Sequence, residues 1–425
     1  MLKNCLKLLF WILAFSELSF SQSDTLTLKE CVDLALKNNP QIKIAEGNYN
    51  INSANLKLTR SAIFPQLIFQ SSWSNNEGTT FLGPTARTSD YQNFAAGFQL
   101  QQQIFDFGKT YSRISAYSDL QDASHQDFIS AKQDLILAAN IAFFNYLQAL
   151  RMDSVYAQTL AQANEHLVQA EAFYKAGTHP EYDVLTAKTD AANAKVNLIA
   201  AENNLRLSKI QLENILNTKL PENFQLKDIL ELNQDSISYN YAYQTAISNR
   251  PEILSDKYKV SASQSLLTSA WTANLPSINA TAGYNWRSYT IDQQFLYSWN
   301  VGVTFSLPIF QGFALDAGIE QAKANLETTQ AASDATIQAV NLDVQQQYSN
   351  LQQAKEQIAA TKTLVIQAEE TLKLADARYR EGVGSPIEIT DARVGMANAS
   401  ASYIQSLYNY QVTFVRLRRA MGVLK

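Results

Sequence analysis

Two carboxylates one helical turn apart, Glu388 and Asp391, follow the breaker run Gly382-Val383-Gly384-Ser385-Pro386. Acids at that spacing share one helix face. They could serve as an acid–base pair, hold a cation, or cap the helix. Glycosidase-type pairs come from a cleft rather than from one helical turn, which argues against the first. Capping fits Glu388 well: Ser385 suits the N-cap, Pro386 the first helical position, and Glu388 completes a Ser-x-x-Glu box. Asp391 lies beyond the box, so helix initiation does not account for it.

Other chemistry is thin. The histidines, His125, His166 and His179, are isolated and show no zinc-type spacing. No nucleophile elbow, P-loop or dinucleotide fingerprint is present. Neither an enzyme nor a cofactor is expected. A formal net charge of −5 and 17% charged residues argue against nucleic acid, which needs a basic surface.

The start of the chain has a job of its own. Lys3 and Lys7, the apolar run from Leu8 to Phe15, and Ser19-Phe20-Ser21 read as a secretory signal peptide over 1–21. Cys5 falls inside it, which leaves Cys31 alone in the mature chain without a disulfide partner. Neither cysteine follows a lipidation box, so no lipid anchor is expected. No run of eighteen apolar residues follows, so no membrane-spanning helix is expected either.

The elements that position the acids are written twice. Ala35-Leu36-Lys37-Asn38-Asn39-Pro40 recurs as Ala246-Ile247-Ser248-Asn249-Arg250-Pro251, a shift of 211 from Pro40 to Pro251. Tyr174-Lys175-Ala176-Gly177 recurs as Tyr379-Arg380-Glu381-Gly382, a shift of 205, which puts a length change between about 74 and 100. The organisation expected is a first repeat over 22–220, a connector over 221–238 and a second repeat over 239–425.

Each repeat opens with a helix, 28–62 or 241–273, and then changes period from 3.6 to 2. Ile278, Ala280, Ala282, Tyr284 and Trp286 alternate with Ser277, Asn279, Thr281, Gly283 and Asn285; the segment 297–306 does likewise. Phe94, Ala96, Phe98 and Leu100 repeat the pattern in the first half, and Leu67, Phe69 and Trp73 give a weaker fourth strand. A soluble sandwich would alternate too. Export, strands of about ten residues and aromatics near the loop-side ends favour a membrane barrel. Four strands cannot close, and open edges cannot face lipid, so several chains must share one barrel. After each hairpin comes a stretch free of glycine and proline, 109–176 and 319–381, long enough for a helix of roughly 100 Å. Returning helices follow at 181–220 and 387–421, making long antiparallel hairpins rich in Ala, Gln and Asn.

Taken together, the export signal, the duplicated order, IFDFG (104–108), PIFQGF (308–313), and the tips YKAGTHPEYDVLTAKTD (174–190) and YREGVGSPIEITDAR (379–393) resemble the TolC-like outer membrane efflux proteins. The resemblance covers essentially the whole mature chain. It implies an α+β fold, mainly long antiparallel α-helical hairpins forming a periplasmic tunnel, with four β-strands per chain contributed to a shared trimeric twelve-stranded outer-membrane barrel. It implies a homotrimer set in outer-membrane lipid, working passively in efflux or type I secretion. The implied partners are a periplasmic adaptor (membrane fusion) protein and an inner-membrane pump of RND or ABC type. The sequence runs only a few residues past the last helix, so the longer C-terminal equatorial segment of some relatives is not expected.

For the tips, the resemblance implies that Glu388 and Asp391 ring a constricted periplasmic entrance. Asp183 and Tyr379 match the acid and tyrosine of a link that holds the entrance shut, although Tyr379 could equally pack inside its own hairpin. Gly384 takes the place of the arginine of a second link, which is therefore missing. Gly177, Thr178, His179, Gly382, Val383, Gly384 and Ser385 are the implied adaptor-docking residues, at places where any helical hairpin needs breakers. The competing architecture is a barrel-anchored structural or adhesive stalk without a pump partner.

Overall fold

The computed structural model describes residues 25–82, 85–222, 224–230, 237–289 and 294–425. The signal peptide and part of the connector lie outside these described residues. The first half comprises β1 (Thr25–Leu26), α1 (Leu28–Asn38), α2 (Pro40–Arg60), β2 (Gln66–Leu82), β3 (Thr85–Phe105), α3 (Lys109–Lys175) and α4 (Glu181–Leu216). Then come β4 (Gln225–Leu226), α5 (Tyr239–Asn249), α6 (Pro251–Thr272), β5 (Ser277–Ser288), β6 (Leu296–Ser306), α7 (Ala314–Arg380) and α8 (Pro386–Ala420).

Proline corrects the reading of the opening helices. Each is two helices rather than one, broken before Pro40 and before Pro251. Proline lacks the N–H that continues a helix and pushes its predecessor into extended backbone. Asn39 accordingly sits at φ −70°, ψ 129° and Arg250 at φ −68°, ψ 121°. Upstream, α1 begins with a complete capping box. Thr27 Oγ1 accepts from the Glu30 N–H, and the Glu30 carboxylate accepts from the Thr27 N–H at 2.8 Å.

The chain forms two compact units. Of the described residues, one unit contains 25–42, Ala131–Ala246 and Leu342–Lys425; the other contains Lys43–Ser130 and Ile247–Asn341. In the first unit, alanine sets the helix spacing. Ala163 meets Ala191 and Ala194, while Ala170 meets Val184 and Ala187, with Leu167 closing over both sets. Buried positions three and four apart on α3 and α4 make this a narrow seam of the coiled-coil kind. By composition and length α3 could cross a membrane, contrary to the expectation of no such helix. Half of its apolar window is buried within the protein, however, with Ala139, Phe143 and Leu147 inside. The end of α8 is tied to α3 by Arg419 Nε and Asp134 Oδ1, 2.7 Å apart.

The second unit holds an antiparallel sheet ordered β2-β3-β5-β6. Its register sorts side chains by period 2. Phe69 faces Phe98, Phe98 faces Tyr284 and Tyr284 faces Trp299, so one aromatic row crosses all four strands. Next to it runs Leu67, Leu100, Ala282 and Val301. The opposite face carries Gln70, Gly97, Asn285 and Ser298 in one row and Ile68, Gln99, Gly283 and Asn300 in another. The apolar face is open: Trp299 and Val301 are 70% and 73% exposed on β6. β5 and β6 have 12 and 11 residues, near the expected ten, but β2 and β3 run to 17 and 21. The length change between the halves is this extension, paired in register from Ser74↔Asn93 to Leu82↔Thr85 beyond the reach of β5.

Glycine is required at Gly97. A Cβ there would lie 2.9 Å from the Tyr284 carbonyl oxygen and 3.2 Å from the Asn285 Cα, both backbone atoms that cannot swing away. At Gly302 the nearest atom to such a Cβ is Thr281 Oγ1, at an ordinary 3.6 Å. Gly97→Val is therefore expected to cost about 1–3 kcal/mol through overpacking, and Gly302→Ala to be tolerated. Thermal unfolding of the purified protein checks this, and equal midpoints for the two variants would refute the register.

Candidate functional site: the helical hairpin tips

Both tips close the same way. At the end of α3 the Gly177 N–H donates to the Tyr174 carbonyl (2.9 Å) and the Thr178 N–H to the Phe173 carbonyl (3.1 Å). At the end of α7 the Gly382 N–H donates to Tyr379 (3.1 Å) and the Val383 N–H to Arg378 (3.0 Å). This paired pattern is a Schellman motif, which needs left-handed backbone at the residue after the cap. Gly177 and Gly382 supply it, at φ +71° and +69°.

The helices that return from the tips start differently. Ser385 is the N-cap of α8, and its Oγ accepts from the Glu388 N–H at 3.2 Å. The predicted box is only half made, because the Glu388 carboxylate turns to Arg378 Nε, 3.2 Å away on α7. A guanidinium across the hairpin offers a charged partner that the Ser385 N–H cannot match. The start of α4 has no such side-chain cap. Pro180 is the N-cap, without a side-chain bond, and neither Thr178 nor His179 caps the helix. Thr178 Oγ1 instead donates back to the Phe173 carbonyl, and the His179 ring stacks on Phe173 with centroids 4.7 Å apart.

Behind the turns lies a buried aromatic cluster. Tyr379 is fully buried with Ala375, Ile389 and Ala392. His166 meets it edge-on at 4.9 Å and Phe173 at 6.0 Å. Tyr379 Oη and His166 Nδ1 have no hydrogen-bond partner among the described residues. Burial raises the Tyr379 hydroxyl above its ordinary pKa, and the negative charge of nearby Asp183 raises it further, against the opposing effect of Arg393. Asp183 itself is buried in the first turn of α4. Tyr379 and Asp183 are thus neighbours in charge, with no hydrogen bond joining them in this protomer.

The acid pair divides. Glu388 is engaged with Arg378, whereas Asp391 is exposed and forms no ion pair among the described residues. Both border a groove between α7 and α8 that includes Leu364, Thr371 and Leu374. Gly384 is also explained. A Cβ there would sit 3.0 Å from the Tyr379 nitrogen and 3.1 Å from the Arg378 carbonyl carbon, so a side chain could enter only by shifting the helix end.

Sequence reasoning missed three participants. His166 looked isolated, yet it occupies the buried stripe Ala163-His166-Ala170, where a polar residue at core spacing was the signal. Arg393 is half-buried, and burial lowers its pKa against the charges of Asp376, Asp190, Glu165 and Tyr379. Thr390 Oγ1 donates to Asp190 Oδ2 at 2.6 Å and so links α8 to α4, a contact no local pattern announces.

A sheet with one apolar and one polar face, joined in the same chain to long helical hairpins, defines a class of outer-membrane channel protein. The chain belongs to the outer membrane efflux protein family, whose profile matches residues 31–218 and 242–423. It is 24% identical to the outer membrane protein TolC of Escherichia coli (strain K12), over 96% of this chain and 84% of that protein. It is 23% identical to the outer membrane efflux protein BepC of Brucella suis biovar 1, over 93% and 85% of the two chains. The crystal structure of the CmeC outer membrane channel of Campylobacter jejuni matches the fold with a TM-score of 0.83 at 23% identity, covering 93% of this chain and 85% of that one. The protein is an efflux channel of the outer membrane extending into the periplasm, with the α+β fold that the resemblance implied.

His166 makes the tip sensitive to acid. Burial, and next the Arg393 charge, push its pKa down to about 4, with Asp376 opposing. Its unfolded value is about 6.5, so the unfolded chain binds the proton first. The stability contribution is complete above that value and is lost as pH falls toward 4. His166→Phe is expected to flatten the decline in thermal midpoint across that window; an unchanged slope would place the acid sensitivity elsewhere.

Proposed function

We propose that three copies of this chain form one passive exit duct, which receives cargo from an inner-membrane pump of RND or ABC type through a periplasmic adaptor. The observation that carries this reading is the four-stranded sheet with an exposed apolar face, whose outer strands β2 and β6 each pair with one strand only among the described residues. Hydrocarbon accepts such a sheet only when further strands pair its edges. Three sets of four give twelve strands, with the polar face of Gln, Asn, Ser and Gly lining a wet bore. The duct performs no chemistry of its own. The repeats 22–220 and 239–425, joined by 221–238 after a signal peptide over 1–21, each contribute one hairpin to the barrel.

At the tips, Glu388 and Asp391 from three copies would make two stacked rings of carboxylates. Like charges so arranged attract cations and disfavour anions. Asp391 is the stronger contributor, because Arg378 neutralises Glu388 within its own protomer. Gly177, Thr178, His179, Gly382, Val383, Gly384 and Ser385 are the surface proposed for the adaptor; Val383, 68% exposed, is its apolar point. Tyr379 and Asp183 are proposed to link when the tip closes, supported by their proximity and by the unpartnered hydroxyl.

Planar-bilayer recording tests the reading. The purified protein is expected to be trimeric and to conduct with cation preference, blocked by multivalent cations. Glu388→Gln/Asp391→Asn is expected to lower both preference and block, with Asp391→Asn alone giving most of the effect. Unchanged selectivity and block in the double variant would refute the gate. Stable trimers without conductance would point to a structural stalk. Tyr379→Phe is expected to raise conductance in the closed state; no change would leave Tyr379 a packing residue only.

A further inference from the structure

A cavity of about 440 Å³ opens where the sheet meets the helices of its own unit, bounded by the ends of β3, β5 and β6 and the starts of α3 and α7. That volume is in the range of small-molecule sites. Its polar lining converges from separate elements. Gln103 and Asn279 are register partners on the polar face of the sheet, and Gln311 comes from the turn before α7. Lys109 and Arg113 stand one turn apart on α3, both exposed. None of these five side chains forms a hydrogen bond or ion pair among the described residues. The one acid in the lining, Asp106, is buried, and its Oδ2 accepts from the Thr110 N–H at 2.8 Å. The rest of the wall is mixed: Leu275, Pro276, Pro308 and Leu315 make an apolar patch, and Thr110, Thr272, Ser277 and Ser306 add hydroxyl-bearing residues.

The duplication supplies an internal control. By the shift of 205 that aligns the strand-to-helix junctions, Lys109 corresponds to Ala314 and Arg113 to Gly318. The second junction turns the same corner with no cation at either place, so starting the helix does not require the basic pair. Two positive charges and three unengaged amides, beside the apolar patch of Leu275, Pro276, Pro308 and Leu315, fit an oxyanion attached to an apolar group. A bare carboxylate could take the cations but would leave the amides unused, whereas a phosphate has oxygens for all of them. We propose that this junction is a binding site for a phosphate ester bearing an apolar chain, with Lys109 and Arg113 as the anchoring residues. The ester could arrive as a soluble amphiphile or as the headgroup of a membrane phospholipid.

Calorimetry on the purified full-length protein in a non-ionic detergent tests the site, with hexyl phosphate, inorganic phosphate and hexanol as probes. Hexyl phosphate is expected to bind saturably, inorganic phosphate more weakly, and hexanol not at all. Lys109→Ala/Arg113→Ala is expected to weaken hexyl phosphate by about tenfold or more, and Lys323→Ala, an exposed cation further along α7, to leave it unchanged. Lys109→Gln/Arg113→Gln repeats the test with side-chain bulk retained. In nanodiscs, loss of hexyl phosphate binding in phosphatidylglycerol but not in phosphatidylcholine supports the site with a lipid headgroup as occupant; retention in both supports it with a soluble ester. Wild-type affinity in both double variants, or equal binding of hexanol, would overturn the proposal. No readout depends on conduction, so the site and the duct stand or fall separately.

Discussion

An unpaired strand edge in hydrocarbon is the constraint from which the rest follows. Among the described residues β2 and β6 each have a single neighbour, so one row of backbone N–H and C=O groups on each is left without a strand partner. Each such group costs several kcal/mol where water is absent, which over a strand reaches on the order of tens of kcal/mol. That exceeds the roughly 5–15 kcal/mol by which a folded domain is ordinarily stable. The sheet is therefore compatible with the outer membrane only when other strands complete it. The exposed apolar row on β6 and the glycine-backed polar rows follow from the same demand, because the two faces of a barrel meet different solvents.

Duplication makes this chain its own reference, and departures between sister positions are where function can be sought. Asp391 corresponds to Thr186 and Arg113 to Gly318, so neither charge is needed to build its element. Tyr379 and Tyr174 teach the complementary lesson. Both stand three residues before the glycine of a Schellman motif, in nearly the same four-residue motif. Tyr379 is fully buried, while Tyr174 is 47% exposed. One becomes the centre of a buried cluster with His166, and the other stays at the surface.

Regular structure was legible because its signals are local. The absence of glycine and proline over 109–176 and 319–381 marked the long helices to within a few residues, and period-2 alternation marked the strands. Pro40 and Pro251 were visible too, and reading one helix across each ignored the missing N–H that makes it two. The box at Ser385 failed for a different reason. Its serine half is local and formed, but the glutamate half had to compete with Arg378 from another helix, which no spacing rule could place nearby.

By itself the sequence determined the element types, the duplication and the two chemically distinct sheet faces, since each depends on residues within a few positions of one another. Only the tertiary structure decided which groups lose water together. It put the unpartnered His166 Nδ1 beside the fully buried Tyr379, brought the charge of Asp183 close, left Asp391 in solvent and gathered Gln103, Lys109, Arg113, Asn279 and Gln311 around one cavity. Burial and charge act through space, between residues hundreds of positions apart, and that distance is closed only by folding.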